Sequence, residues 1–255
     1  MKHDEFGDRM KEYEAVPKRQ LMRRIPVIIR VDGKAFHSFC KRFEKPHDEF
    51  LHDTLNSVMQ HLCQNIQGAK FAERHSDEIS ILVTDYDRIG TSAFFDYEVD
   101  KINSVVASMT STVFCKHLMA GHSLNFNEQW PNFDCRCFNI PEHEIPNYLW
   151  WRMGDGKRNS ISMLAQSKFS HKELMNKSCN EMQEMLYQKQ INWANLPQGQ
   201  KIGYICIRRK RNKPIPAGPN EGQIVERSVW EIEESPPTVS ELRAIIDGIE
   251  FRKEE

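Results

Sequence analysis

The order of the elements predicted from this sequence indicates an α+β fold of the ferredoxin-like, or split βαβ, class. Two observations lead to this class. Short apolar runs of strand type are interspersed with two long segments whose apolar residues recur at helical spacing. They follow one another as β-α-β-β-α-β, which places the first and third strands side by side in the middle of the sheet. The chain has 255 residues, of which 39% are hydrophobic, so it can bury a substantial core.

In the first half of the chain, each element follows from periodicity or from a boundary residue. Pro46 suits the first position of a helix, because proline has no N–H to leave unpaired there. Apolar residues recur at helical spacing from there to Asn65, and Gly68 is the expected stop. The other elements expected here are a short amphipathic helix within residues 4–24, strands at 25–31, 69–73, 78–83, 91–95 and 135–140, and a second long helix at 99–114.

After residue 140 the pattern becomes mostly helical. We therefore expect a palm-like catalytic domain with an N-terminal helical segment at residues 1–140, and an α-rich extension at 141–255. The split βαβ order is that of a polymerase palm, although a fold alone implies no function. The extension is expected to contain helices at 142–151, 159–166 and 170–188, a strand at 200–209 that runs into a basic string from Arg208 to Lys213, a strand or hairpin arm at 221–233, and a C-terminal helix from residue 240.

The overall charge gives no general attraction to nucleic acid or to a membrane. Lysine and arginine number 35 against 36 for aspartate and glutamate, so the net charge is −1. Binding to RNA would therefore depend on local patches, and the basic string is the concentrated positive one. Such a string usually lies at a strand edge or in a loop, where its charges are exposed to solvent. Beside a catalytic palm it would instead bind an RNA backbone.

Cysteine usage and hydropathy bear on the cellular setting. The seven cysteines form no CxxC pair, and Cys135 and Cys137 have the wrong spacing for a zinc knuckle. An odd number of cysteines without a signal peptide fits reduced thiols in the cytoplasm. No apolar run reaches the roughly 18 residues needed to span a bilayer. We therefore expect a cytoplasmic protein with no membrane partner.

Two acidic motifs stand at the ends of strand-like runs. The first is IIRVDGK at residues 28–34, and the second is FAERHSDEISI at residues 71–81. If the two strands are neighbours, Asp32 and Asp77 face one another and form the hard oxygen cage that Mg²⁺ prefers. The alternative is purely structural, because Asp-Gly is a common turn and Ser-Asp-Glu suits a helix cap or a hairpin tip.

Several ordered motifs resemble those of the tRNA-His guanylyltransferase family, especially its Thg1-like branch of 3′-to-5′ RNA polymerases. The motifs are GDRMK at 7–11, RVDGKAFH at 30–37, FEKP at 43–46, SDEIS at 76–80, FDCR at 133–136 and YLWWR at 148–152. Their common order and compatible spacing argue against chance agreement. The resemblance weakens beyond residue 201.

The resemblance implies a palm domain in which the catalytic residues Asp32 and Asp77, with the main-chain carbonyl of Gly33, hold two Mg²⁺ ions. Glycine fits this position because a carbonyl ligand requires close approach of the backbone. Glu78 is expected to support the ligands without touching the ions. In the implied reaction, a nucleoside triphosphate activates a tRNA 5′-monophosphate, and the 3′-hydroxyl of an incoming nucleotide then attacks that end. Each step displaces pyrophosphate.

The resemblance also implies a site for ATP, GTP or another nucleoside triphosphate. Lys45 matches a family lysine near the triphosphate, and Ser76 is expected to touch phosphate or metal-bound water. His37 has two interpretations, a core histidine or a nucleotide contact. The residues expected to bind nucleotide are Gly33, Lys34, Ala35, Phe36, His37, Lys45, Ser76, Asp77 and Lys101.

Contacts with tRNA or with triphosphate are implied at a further set of positions. For Arg136 and Arg152 the alternative is an ion pair with Asp134 or Asp155. Eukaryotic members that add guanosine to tRNA-His carry a His-Ile-Asn-Asn or Thr motif where this chain has KRNS at 157–160, so the sequence favours repair over strict guanosine addition. The full set is Arg30, Arg136, Arg152, Lys157, Arg158 and Asn159.

The predicted function is templated repair of 5′-truncated tRNA by 3′-to-5′ addition of nucleotides. Three alternatives remain open at this stage: guanosine addition to tRNA-His, a palm-type nucleotide cyclase, and a non-catalytic tRNA-binding protein. Family members assemble as tetramers or dimers of dimers, so a homotetramer is expected.

Overall fold

A computed structural model describes residues 4–121, 130–218 and 220–251. This part of the chain is built around a six-stranded antiparallel sheet. Its strands in chain order are β1 (Val27–Gly33), β2 (Ala69–His75), β3 (Glu78–Val83), β4 (Phe133–Asn139), β5 (Tyr204–Pro214) and β6 (Ile224–Glu234). They lie side by side in the order β4-β1-β3-β2-β5-β6.

The helices of the described residues are, in chain order, α1 (Glu5–Ala15), α2 (Phe36–Phe39), α3 (Glu49–Asn65), α4 (Val99–Gly121), α5 (Ile145–Gln166), α6 (His171–Leu174), α7 (Cys179–Gln188), α8 (Gln198–Ile202) and α9 (Val239–Asp247). Among them, α3 and α4 cover one face of this sheet, and α5 and α9 cover the other. The predicted α+β class is confirmed. The predicted neighbourhood of the first and third strands is also confirmed, because β1 pairs with β3 from Val27↔Val83 to Val31↔Ile79.

The alternation of side chains along β1 divides the core between the two faces of the sheet. Val27, Ile29 and Val31 point into a large cluster that α3 and α4 cover. Ile28 points the other way, into a cluster that includes Leu149 of α5 and residues of α9. Both faces of the central strands are therefore buried, and functional groups are confined to the strand ends and to polar gaps in the packing.

Two predicted helix boundaries are wrong, and local polar contacts explain both. The first long helix begins at Glu49 and not at Pro46, because the Asp48 side chain accepts a hydrogen bond from Leu51 N and so caps the helix at that point. The helix predicted at 170–188 is two helices, α6 and α7. Each starts with its own capping box, at Ser170 and Ser178.

The helices predicted at 142–151 and 159–166 form one continuous helix, α5. Its glycines do not end it, and Gly156 has a packing role there. A Cβ at Gly156 would lie 2.6 Å from Cβ of His75, so only glycine lets the helix approach β2 this closely.

The strand predicted at 91–95 is wrong. The chain instead forms a 3₁₀ turn at Phe94–Tyr97, in which Phe95 and Asp96 have positive φ angles of 48° and 51°. Arg23 holds this turn from outside by donating from Nη1 to Asp96 Oδ1 at 2.7 Å. A left-handed backbone cannot continue a strand ladder, and this explains the difference.

The sheet continues across the predicted division at residue 140. β5 pairs with β2 from Phe71↔Ile207 to Arg74↔Tyr204, so the second half of the chain contributes two strands to the sheet of the first half. The division itself stays a prediction. A search of the helices in the described ranges finds none with the length and apolar character that a membrane span requires.

Candidate functional site

The two acidic motifs meet at one end of the central strands. Asp32 and Gly33 are the last residues of β1, and Asp77 lies in the two-residue turn that joins β2 to β3. A Cβ on Gly33 would lie 2.5 Å from Oδ2 of Asp77 and 2.5 Å from the ring of Phe36. Glycine is therefore required here by the close approach of the Asp77 carboxylate to the backbone of β1.

The charges of the two aspartates are poorly compensated. Burial raises the pKa of Asp32, and the nearby Glu78 and Asp134 carboxylates raise it further. Burial also raises the pKa of Asp77, and the charge of Asp32 adds to that rise, although a hydrogen bond from Ser76 opposes it. Two carboxylates that repel each other beside the backbone carbonyl of Gly33 form a set of hard oxygen donors, and this set fits Mg²⁺.

The turn that carries Asp77 is held from below by a buried arginine that sequence reasoning missed. Arg74 is 1% exposed, and its Nη1 donates to the carbonyl of Ser76 at 2.7 Å. Its Nε donates to Oδ1 of Asn56 at 2.9 Å. Ser76 has a φ of 49°, and its hydroxyl donates to Oδ1 of Asp77 at 2.9 Å. Arg74 therefore fixes the strained turn, and Ser76 orients the carboxylate.

Glu78 is engaged by Arg152 of α5 on the face of the sheet opposite Arg74. Arg152 donates from Nε to Oε1 at 2.6 Å and from Nη2 to Oε2 at 2.5 Å, and its Nη1 contacts Asp155 at 2.5 Å. Burial tends to raise the pKa of Glu78, but the contacts with His75 and Arg152 outweigh it and lower the pKa to about 2. Arg152 thus forms the alternative ion pair with Asp155, and its expected contact with RNA or triphosphate is not what the structure shows.

A buried cluster of Glu73, His75 and Glu78 lies beneath the same turn. One potential ligand atom from each residue lies within 4.8 Å of the others, so the cluster has the composition of a cation site. Glu73 is fully buried, and neither of its carboxylate oxygens has a hydrogen-bond partner among the described residues. Burial raises its pKa to about 7. Sequence reasoning missed Glu73 and His75, although their i, i+2 spacing in an apolar strand was the available signal.

A cavity of about 200 Å³ opens beside Asp77. Apolar side chains make up much of its wall, and polar groups converge on it from the turn and from the segment before α3. Its lining includes Phe36, Phe43, Leu51, Leu55 and Met163 together with His37, Lys45, His47, His52, Ser76 and Asp77. An apolar cavity with a few polar groups beside a carboxylate pair suits a flat, polar ligand such as a nucleobase.

The expected nucleotide residues fall into two groups. Those that line the cavity are Phe36, His37, Lys45, Ser76 and Asp77. His37 and Lys45 are exposed, so the core interpretation of His37 is wrong. The ring of Phe36 is also part of the core, with its centroid 5.1 Å from that of Phe39 and 5.5 Å from that of Phe114.

The remaining expected residues lie outside the cavity wall. Lys34 and Ala35 are exposed, and Ala35 adopts a φ of 50° that starts α2. Lys101 lies on α4 with its ammonium 5.1 Å from the centroid of Phe95. Neither Gly33 nor these three residues line the cavity.

The expected RNA-contacting residues are not gathered at one place. Arg136 donates to Asp134 at 2.9 Å, which is the ion pair foreseen as its alternative. Arg158 is paired with Asp155, and Lys157 lies 5.5 Å above the ring of Trp193. Arg30 is opposite Arg136 in the β1–β4 ladder, and Asn159 lines a small cavity of 30 Å³ with His75.

The basic string is largely neutralised by acids on the neighbouring strand. Arg209 makes a bidentate contact with Glu233 at 2.8 and 2.9 Å, and Arg211 makes one with Glu231 at 2.7 and 2.6 Å. Lys210 lies 3.1 Å from Glu226. Sequence reasoning located the cations but could not foresee the cross-strand acids.

The chain is similar to tRNAHis guanylyltransferases both by a family model and by a relative. A family model described as Thg1, tRNAHis guanylyltransferase, matches residues 7–141. A probable tRNA(His) guanylyltransferase from Drosophila melanogaster is 30% identical over 198 residues, with 72% of this chain and 67% of the relative covered.

Two solved structures are similar over nearly the whole chain. A bacterial tRNA(His) guanylyltransferase (Thg1)-like protein in complex with ATP has a TM-score of 0.81 and 36% identity, covering 96% of this chain and 98% of its own. A bacterial Thg1-like protein in complex with GTP has a TM-score of 0.77 and 35% identity, covering 95% and 99%.

Proposed function

Because this chain belongs to the tRNAHis guanylyltransferase family, whose members are nucleotidyltransferases, we propose that it adds nucleotides to the 5′ end of tRNA in the 3′-to-5′ direction. In this proposal its substrate is a 5′-truncated tRNA, and the opposite strand serves as template. Selection by Watson–Crick pairing needs no base-reading side chains. Such an enzyme uses one active site for activation of the 5′ end and for nucleotide addition, since pyrophosphate leaves in both steps.

The observation that carries the proposal is the close approach of Asp77 to Gly33 beside a ligand-sized cavity. The side chains of Asp32 and Asp77 and the carbonyl of Gly33 would hold two Mg²⁺ ions. When bound, such ions lower the pKa of an attacking hydroxyl and neutralise the leaving pyrophosphate. Ser76 orients Asp77, and Arg74 keeps the turn in the shape that presents both.

The cavity beside Asp77 is the proposed nucleotide site. In this proposal the base lies against the apolar wall formed by residues such as Leu51 and Met163, while Lys45 and Ser76 contact the phosphates. Lys34, Ala35 and His37 border the same end of β1, and Lys101 would approach from α4. Support comes from the two bacterial relatives, whose structures are described as complexes with ATP and with GTP.

The proposed tRNA contacts are four cations and one amide distributed over β1, β4 and α5. Arg30 and Arg136 lie opposite each other on β1 and β4, near Asp32. Lys157, Arg158 and Asn159 are on α5, and Arg158 would exchange Asp155 for a phosphate. We also propose that the protein forms a homotetramer and is located in the cytoplasm.

The test is 5′ extension of a truncated tRNA transcript with Mg²⁺ and each triphosphate, with pyrophosphate release as a second readout. Asp32→Ala and Asp77→Ala are expected to lose both signals, because each removes a donor of the carboxylate pair. Asp247→Ala, an exposed aspartate at the end of α9, is the matched control. Full activity in either active-site variant would rule the proposal out.

The same assay separates the alternatives. Guanosine addition to tRNA-His, the activity for which the family is named, would be seen with full-length tRNA-His and without any truncated substrate. A cyclase would form cyclic or linear dinucleotides from triphosphates alone. A non-catalytic binder would retain RNA without Mg²⁺ and would not respond to Asp77→Ala.

A further inference from the structure

A second groove lies on α5, apart from the carboxylate pair. It has a volume of about 260 Å³. Trp150, Met153, Gly154 and Lys157 are spaced i, i+3, i+4 and i+7, so they line one side of the helix. Trp193 and Lys201 line the groove from the segment that follows α7. None of the aspartates of the proposed catalytic site contributes to it.

The floor of the groove is open at Gly154. A Cβ at this position would meet no atom within 4 Å, in contrast to Gly156, where it would clash with His75. Glycine inside a helix is less favourable than alanine, because its backbone loses more conformational freedom on folding. Packing against the rest of the described chain does not require glycine at this position. The missing side chain instead leaves space in the groove that a ligand can occupy.

The aromatic wall of the groove is fixed in place. Trp193 donates from Nε1 to the hydroxyl of Ser160 at 3.0 Å, and that hydroxyl donates to the carbonyl of Gln200 at 2.7 Å. Because both ends of this chain of hydrogen bonds are anchored, the indole ring is held ready for a partner. A pre-oriented ring loses little freedom when it binds.

Two ammonium groups surround the same ring. Lys157 Nζ lies 5.5 Å and Lys201 Nζ 5.9 Å from the centroid of Trp193. Lys201 also donates to the carbonyl of Ala194 at 3.1 Å. Among the described residues, neither lysine forms an ion pair with a carboxylate. The groove therefore joins an aromatic surface to two positive charges that have no carboxylate partner among the described residues.

We propose that this groove binds one unpaired nucleobase of an RNA strand, with the base against Trp193 and Trp150 and the adjoining phosphates on Lys157 and Lys201. A nucleotide supplies both a flat π face and negative charge, which is the combination that single-strand binding sites use. Cationic or neutral peptides would leave the two lysines uncompensated. The inference deepens the proposed function, because the RNA would be the tRNA substrate.

The test measures binding of a fluorescein-labelled single-stranded RNA pentamer to the 255-residue chain by anisotropy. Gly154→Leu fills the groove from its open floor and is expected to weaken binding roughly tenfold, as loss of a stacked base would. Gly154→Ala, with a much smaller side chain, should have a smaller effect. Gly90→Leu is the matched control, since a Cβ there also meets nothing within 4 Å and the residue is in an exposed loop.

The lysines give a second readout. Lys157→Gln and Lys201→Gln should each reduce the dependence of log affinity on log salt by about 0.7, the value for one phosphate contact in single-stranded nucleic acid. Trp193→Phe should retain more affinity than Trp193→Ala. Unchanged affinity in Gly154→Leu, with its circular dichroism spectrum intact, would overturn the inference.

Failure of this inference and failure of the proposed function give different results. If Gly154→Leu binds the pentamer normally while Asp32→Ala abolishes 5′ extension, the groove assignment is wrong and the catalytic proposal stands. If Gly154→Leu loses binding while Asp32→Ala retains full extension, the groove assignment stands and the catalytic one is wrong.

Discussion

Arg152 forms a bidentate ion pair with Glu78, the residue that follows Asp77. Its Nε donates to Oε1 at 2.6 Å, and its Nη2 donates to Oε2 at 2.5 Å. Both side chains are largely buried, with 11% and 8% exposed. The pair joins α5 to the start of β3. We therefore regard Arg152 as a positioning residue for the carboxylate end of the sheet.

Removal of Arg152 is expected to be strongly destabilising. Arg152→Ala leaves Glu78 buried without its partner, and breaking a buried ion pair from one side costs roughly 3–5 kcal/mol. Thermal unfolding should show a lower Tm than for Arg158→Ala, which loses an exposed partner of the same Asp155. Equal melting of the two variants would contradict the positioning role.

Gly33→Ala tests the close approach of the two acidic motifs. The added Cβ would lie 2.5 Å from Oδ2 of Asp77, so the carboxylate must move away from β1. We expect 5′ extension to fall and the Mg²⁺ concentration for half-maximal activity to rise. Gly90→Ala provides the control, because its Cβ would enter open space. An unchanged Mg²⁺ dependence would show that the approach is not needed for ion binding.

The raised pKa of Glu73 leads us to expect that the free energy of unfolding depends on pH. The pKa of Glu73 is raised by burial from 4.5 to about 7, so its contribution is fully favourable below pH 4.5 and is lost as the pH rises through 7. Glu73→Gln removes the cost of a buried charge. It should therefore raise the free energy of unfolding more at pH 8 than at pH 5, by up to about 3 kcal/mol.

The comparison of the variant with the parent at each pH isolates Glu73 from other titrating groups. Burial lowers the pKa of His47 and of His52, the latter to about 3, and such histidines stabilise the fold as the pH rises. The two histidines therefore change the free energy of unfolding with pH in the direction opposite to Glu73. This change is the same in the parent and in the Glu73→Gln variant, so it cancels in the comparison. A difference that shrinks from pH 5 to pH 8 would contradict the assignment to Glu73.

The hairpin formed by β5 and β6 should bind RNA weakly in its natural form. Arg209 and Arg211 are held by Glu233 and Glu231 across the strands. The double change Glu231→Gln with Glu233→Gln frees both guanidinium groups, so RNA affinity should rise and depend more steeply on salt. Filter binding at several salt concentrations measures this.

The matched control for the hairpin is Glu12→Gln with Glu14→Gln. It removes the same net charge from α1, an exposed helix with no buried residue. If this control raises RNA affinity as much as the hairpin variant, the effect is one of net charge, and the cross-strand pairs have no special role.

Local features of the sequence were sufficient for much of the central fold. Apolar periodicity located α3, α4 and the strands β1 to β4, because each of these elements buries one or both faces and therefore repeats its apolar residues at a fixed spacing. The Asp-Gly and Ser-Asp-Glu motifs marked the strand ends at which Asp32 and Asp77 meet. Residue type and spacing determined these features before any long-range contact was known.

Only the tertiary structure decided which distant partners these elements take. The pairing of β5 with β2, the burial of Arg152 against Glu78 and the neutralisation of Arg209 by Glu233 join residues that are far apart in the chain. No periodic pattern records such pairs, because periodicity shows which face is buried but not against what. From the sequence, Arg152 and Arg209 could be interpreted as free cations. In the folded chain Arg152 is paired with Glu78, and Arg209 is paired with Glu233.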